Sequence, residues 1–281
     1  MRAFSLFFIF LLSFSASAQL LEKQYPEDRS YTNADRGMGR YVSRSLYQTG
    51  KFALTFDDGP HPQFTARLLD VLKAANVHAT FFVLTEKIND AALPLLKRVL
   101  DEGHILASHS RSHDHSNQLS MSVFKSNLKE SLLALKRVYD FAGHSFSSIY
   151  FRYPYGEYGG SPQYHHMNAL QEVSRELFGD NCVQFVFWDI DTADWVADMT
   201  SADIFTTLKA NQMGGRYYDF KKVGSQYVKS ALMMTNPNKG GVILQHDIHE
   251  KNIEATRLYL AWAKENGVEL VTLPQVDEFQ I

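Results

Sequence analysis

From residue 50 onward, short apolar runs alternate with amphipathic stretches, the pattern of buried strands joined by helices. Seven runs rich in Phe, Val, Ile and Thr read as strands: 52–56, 79–84, 104–108, 148–152, 183–188, 241–245 and 269–272. Between them apolar residues recur at helical spacing, as in Leu68, Leu69, Leu72 and Ala75. The same spacing returns in Phe124, Leu128, Leu132, Leu135, Val138 and Tyr139. Gly103 and Gly267 stand just past two such stretches, where a left-handed residue closes a helix. Strand–helix alternation predicts an α/β fold with a parallel sheet, open or closed into a barrel. In such folds the chemistry gathers at the carboxyl ends of the strands.

The first residues follow a different pattern. Arg2 precedes a short apolar core, residues 3–12, and Ala16-Ser17-Ala18 gives the small-x-small signature of a signal-peptidase site. The core is too short to span about 30 Å of hydrocarbon, and no cysteine follows to carry a lipid. The expectation is a signal peptide over 1–18, cleaved near Ala18, with export to the periplasm or beyond and no stable membrane anchor. Residues 19–49 read as a polar N-terminal arm and 50–281 as a single domain.

Composition narrows the chemistry. Hydrophobic residues make up 45% and charged residues 21%, which excludes a disordered or collagen-like chain. A net charge of −3 leaves no basic field for nucleic acid. Cys182 is the single cysteine, so any metal must rest on carboxylates and the 11 histidines. Nothing in the sequence sets an oligomeric state.

Five motifs sit where strands end. Thr55-Phe56-Asp57-Asp58-Gly59-Pro60 puts adjacent carboxylates after an apolar strand; each is costly to bury unless something binds it. One cation can neutralise one of them and leave the other free as a base. His109 and His113 are four apart, and in a helical turn their rings would share a face and a metal. The H-x-H-x-D-H metal pattern fails here, because Ser110 and Ser112 occupy two ligand positions. Arg152, in Phe151-Arg152-Tyr153-Pro154-Tyr155-Gly156, is a fixed cation able to orient a carboxylate. Asp189, Asp191 and Asp194 cluster beside Trp188 and Trp195, and His246 emerges from the buried run 241–245.

These motifs, in this order, resemble the polysaccharide deacetylase family, also called NodB-homology or carbohydrate esterase family 4 enzymes. The resemblance spans roughly residues 50–275 and rests on Thr55–Pro60, His109-x3-His113, Arg152-x-Pro154-Tyr155, Asp191-x-x-Asp194-Trp195 and Leu244-x-His246. It implies a single-domain, distorted (β/α)7-type barrel that hydrolyses acetyl groups from N-acetylated sugars. It further implies a divalent metal, zinc foremost with Co, Mn or Ni as alternatives, on Asp58, His109 and His113. Asp57 would be the catalytic base and His246 the acid, oriented by Arg152 and Asp194 respectively. The Tyr155 N–H would face the oxyanion, and Trp195 and Leu244 would wall the acetyl methyl beside Tyr155.

Export makes peptidoglycan N-acetylglucosamine the expected substrate. Chitin deacetylation and xylan O-acetyl hydrolysis would use the same residues, and a non-catalytic glycan-binding module is the alternative outside enzymes. Asp114 stands where the family usually has proline after the second histidine. The long segments 157–182 and 196–240 carry Tyr158, Tyr164, His165, His166, Arg216, Tyr217 and Tyr218. Both packing and a substrate-binding rim are open to them.

Overall fold

A computed structural model of the chain describes residues 43, 45–146, 149–159, 165–180 and 182–280. The expected signal peptide over 1–18 and nearly all of the expected N-terminal arm over 19–49 lie outside the described residues. Strand β1 (Lys51–Asp57) pairs with β2 (Thr80–Val83), and β2 leads through β3 (Ile105–Ser108) and β4 (Ile149–Phe151) to β5 (Val183–Phe185). The short β6 (Ile190–Asp191) joins the far side of the sheet through β9 (Gly241–His246), and β10 (Glu269–Val271) pairs with the start of β1. All these pairings are parallel. The result is a curled, incomplete barrel; among the described residues β5 does not pair with β6.

Among the described residues six helices pack around the sheet: α1 (Phe64–Ala75), α2 (Leu93–Asp101), α3 (Met121–Ala142), α4 (His165–Phe178), α5 (Ser201–Met213) and α6 (Glu250–Glu265). Their ends carry the expected punctuation. In α5, Thr200 and Asp203 cap one another, and α3 starts at Ser120 and closes at the left-handed Gly143. No described helix is long and apolar enough to cross a membrane.

The two-residue period of β1 sorts its side chains. Phe52, Leu54 and Phe56 pack outward with Leu68 and Leu72 of α1, while Ala53 joins the inner cluster with Phe82 and Leu244. Thr55 and Asp57 share the inner face with Ala53. Strand β9 alternates likewise, with Val242 and Leu244 inward and Ile243 outward, and Asp57 is the register partner of His246. Both residues therefore reach the inner face at the carboxyl end of adjacent strands.

The structure departs from the seven-strand pattern in three places. Among the described residues the parallel sheet has eight strands, the additional one being two-residue β6, too short to leave a periodic signal. The run 183–188 stops being strand at Phe185: the carbonyls of Val186 and Phe187 accept from the Arg152 guanidinium instead of a neighbouring strand. Finally, segment 196–240 contains an antiparallel hairpin, β7 (Gly215–Val223) and β8 (Gln226–Met234), turned at Gly224-Ser225.

Candidate active site

Arg152 is the organising residue. It follows β4, is fully buried, and lies 4.1 Å from the Phe82 ring centroid. Its Nη1 donates at 2.8 Å to both Thr55 Oγ1 and Asp57 Oδ1, while Nε and Nη2 donate to Val186 and Phe187 carbonyls at 2.9 and 3.2 Å. The planar fork is thus held at several points, and Asp57 has one fixed orientation. Burial raises the Asp57 carboxyl above its ordinary range, against the pull of Arg152 and His246.

The next residue turns away. Asp58 has φ 72°, a left-handed conformation at the strand end, and its backbone N–H and carbonyl are bound by Phe82 O and Lys87 Nζ. The turn beyond it needs glycine: a Cβ on Gly59 would sit 2.5 Å from Asp247 Oδ2. Asp247 is buried, accepts from the Thr65 hydroxyl, and is pushed up to about 7 by burial.

Asp58 Oδ1 is buried without a hydrogen-bond partner, 3.5 Å from His109 Nε2 and 3.6 Å from His113 Nε2. Ligand atoms of the three residues all lie within 4.8 Å of one another. His109 Nδ1 is 2.9 Å from the Arg152 carbonyl, which only accepts, so Nδ1 carries the proton and Nε2 presents its lone pair. Burial pushes the His109 imidazole down to about 3, keeping it neutral. Two imidazole nitrogens and an otherwise unsatisfied carboxylate oxygen fit a divalent cation with positions left open.

The helical turn expected for His109 and His113 is absent. The chain bends through Ser110, at φ 71°, and no helix begins until α3 apart from a single tight turn at Ser116–Gln118. The bend brings the ring centroids to 5.2 Å at a 57° tilt, so they converge at an angle instead of sharing a helical face.

On the other side of Asp57, the Asp194 carboxylate grips His246 twice. Oδ1 is 2.7 Å from Nδ1 and Oδ2 accepts the His246 backbone N–H at 2.7 Å. Desolvation opposes the imidazolium, but Asp194, with Asp58 and Asp57 beyond it, raises the ring to about 10. The two neighbouring acids serve other ends. Asp189 accepts the Ser43 and Val242 N–H groups, and Asp191 accepts that of Ala193 while burial lifts its carboxyl to about 6.

A cleft of about 660 Å³ opens over these strand ends, with Asp57, Asp58, His109, His113 and His246 on its floor and Leu244 beside them. Tyr155 and Trp195 stand on its walls, while Arg152 and Asp194 lie buried beneath it. The ten residues to which the family resemblance gives roles thus meet around one cleft. Of the suspected rim residues, Tyr158 and His166 are buried in the core instead, and Tyr164 lies outside the described residues. Arg216, Tyr217 and Tyr218 do not line the cleft; Phe220 and Tyr227 of the hairpin do.

Sequence reading gave His115 no role and did not single out Glu157. The His115 ring stacks on Tyr155 at 3.9 Å and 9°, its Nδ1 is 2.8 Å from Glu157 Oε1, and Glu157 Oε2 accepts the Asn117 N–H. Asn117 Oδ1 in turn accepts the Gly159 N–H. Five residues thereby lace the His113 loop to the Tyr155 loop, and Asp114, between His113 and His115, accepts from the Ser112 hydroxyl. The partners are 42 apart in sequence, so no local pattern announced them.

Comparison with known proteins gives the same picture. The polysaccharide deacetylase family profile matches residues 47–169. The chain is 30% identical over 241 residues to a peptidoglycan-N-acetylglucosamine deacetylase of Bacillus cereus, covering 84% of this chain and 71% of that protein. It is 31% identical over 227 residues to a peptidoglycan-N-acetylglucosamine deacetylase of Listeria monocytogenes, covering 80% of this chain but only 38% of the longer relative. Among solved structures, a peptidoglycan N-acetylglucosamine deacetylase bound to a hydroxamate-type ligand superposes with a TM-score of 0.60 at 25% identity, over 82% of this chain and 89% of that one. An acetyl xylan esterase of Clostridium thermocellum, solved with a cobalt ion, gives 0.57 at 25% identity over 80% and 89%. Strand-end motifs, curled sheet and relatives agree: the chain belongs to the polysaccharide deacetylase family of hydrolases.

Proposed function

We propose that this protein is an exported, metal-dependent N-deacetylase that releases acetate from N-acetylglucosamine units of peptidoglycan. One observation carries the reading: a three-residue cation site shares its cleft with a carboxylate fixed by arginine and an imidazolium fixed by aspartate. The relatives' named substrate supports the peptidoglycan reading, and the pattern of the first 18 residues supports export.

Asp58, His109 and His113 would hold the metal, and their mixed oxygen and nitrogen donors suit zinc. Bound there, the ion supplies Lewis acidity toward the acetamide carbonyl and the attacking water. Asp57, held by Arg152, takes the proton as the water oxygen bonds to the acetyl carbon. The Tyr155 N–H donates to the developing oxyanion, and Trp195 and Leu244 wall the methyl group. His246 then gives its proton to the sugar nitrogen as the C–N bond breaks, leaving a free amine and acetate. Asp194 keeps that imidazole charged and aimed.

The test is acetate release from peptidoglycan and from acetylated xylan by the zinc-loaded chain, with His246→Ala beside it. An amine leaves poorly without a proton, so the variant loses about 10²- to 10⁴-fold on the amide and much less on an ester. Release from xylan alone would replace the amide reading with an esterase one. No acetate from any glycan, with metal bound, would replace it with a binding module.

A further inference from the structure

The hairpin β7–β8 lies beyond the residues matched by the family profile, yet it builds one wall of the cleft. Its register puts Phe220 opposite Lys229 and Lys222 opposite Tyr227, so Phe220 and Tyr227 emerge on the same face. That face meets Trp195. Ring centroids are 4.6 Å apart for Trp195–Phe220, 5.3 Å for Trp195–Tyr227 and 5.6 Å for Phe220–Tyr227, every pair edge-to-face. Such packing fixes all three rings against one another. It does not bury them: Tyr227 remains 39% exposed at the mouth of the cleft. The hairpin's position relative to the catalytic floor is therefore set by aromatic contacts that leave ring surface facing the solvent side of the cleft.

We propose that Phe220 and Tyr227, with Trp195, form a platform for a pyranose ring next to the one that loses its acetyl group. A sugar ring has an apolar C–H face matched to an aromatic surface, and hydroxyls at its edge that stay in water or meet the Tyr227 hydroxyl. The cleft, at about 660 Å³, has room beyond the acetamide that the floor residues handle. The protein thus recognises a stretch of glycan, and its efficiency grows with chain length up to the platform. This inference rests on the deacetylase reading.

The experiment measures acetate release by the zinc-loaded chain from N-acetylglucosamine oligomers of two to five sugars, for the unsubstituted protein, Tyr227→Leu and Phe220→Leu. Leucine keeps apolar bulk against Trp195 and removes the aromatic face, and thermal melts verify folding. The expected result is a loss of about three- to tenfold in kcat/KM on the longest oligomer, with little change on the shortest one turned over. An equal loss at every length, or none at any, overturns the platform. If the unsubstituted chain releases no acetate from any oligomer or from peptidoglycan, the deacetylase reading falls by itself. The platform is then decided by calorimetry of pentamer binding: weaker binding by Tyr227→Leu supports it, and unchanged affinity overturns it.

Discussion

Two histidine–carboxylate pairs face one cleft, with almost equal hydrogen bonds of 2.7 Å for His246–Asp194 and 2.8 Å for His115–Glu157. They differ in depth. Asp194 is fully buried, and both its oxygens serve His246, one on the ring and one on the backbone. The His115 side chain is 45% exposed, and the second oxygen of Glu157 is spent on a neighbouring loop. In the buried pair the carboxylate acts through a poorly screening medium, so the imidazole keeps its proton well above neutral pH. At the rim, water screens the charges, and what the pair contributes is geometry: it ties two loops and seats a ring on Tyr155. One chemical motif is a proton store on the floor and a strap at the edge.

Asp194→Asn breaks the buried half most severely. We expect kcat on an N-acetylated glycan to fall by about 10³-fold, measured as acetate release. The imidazolium is the active form, so activity is lost as pH rises through the His246 pKa, near 10. Without the carboxylate's pull, burial presses the ring toward neutrality, and the residual activity should show an alkaline limb moved to lower pH. An unmoved limb would assign that limb to another group.

Arg152→Lys comes next. An ammonium cannot reproduce a fork that reaches Thr55, Asp57 and two carbonyls, and Asp57 would be left with a poorer buried partner. Chemical denaturation should report a loss of about 3 kcal/mol, together with a fall in kcat. Glu157→Gln is the smallest. The amide still accepts from one donor but not from both His115 and Asn117, so stability should change by about 1 kcal/mol and activity by less than about tenfold. A loss as large as that of Asp194→Asn would mean that the rim pair handles protons too.

The grouping of the cleft-floor residues was legible because their motifs are written at strand ends. The run Phe52–Phe56 is apolar but for Thr55, as a buried parallel strand tends to be, and it delivers Asp57 and Asp58 where such sheets carry their sites. His246 follows from the same logic on β9. The convergence of His109 and His113 was legible as a pairing but not as a shape, since a left-handed Ser110 does what helical spacing was expected to do. The rim was less legible. Glu157 and His115 meet across 42 residues, and β6 has only two residues to show. The hairpin did carry a signal, Gly224-Ser225 between alternating runs, but its polar outer face and scattered tyrosines read equally well as loop.

The register of that hairpin has a wider consequence. Gly215 stands opposite Met234, so the excursion leaves and rejoins the fold at one spot. An element whose two ends touch can be lengthened, shortened or swapped without moving the strands that hold Asp57 and His246. If that ribbon is the sugar platform proposed above, exchanging it alone would change which glycan the cleft holds while Asp57 and His246 stay in place.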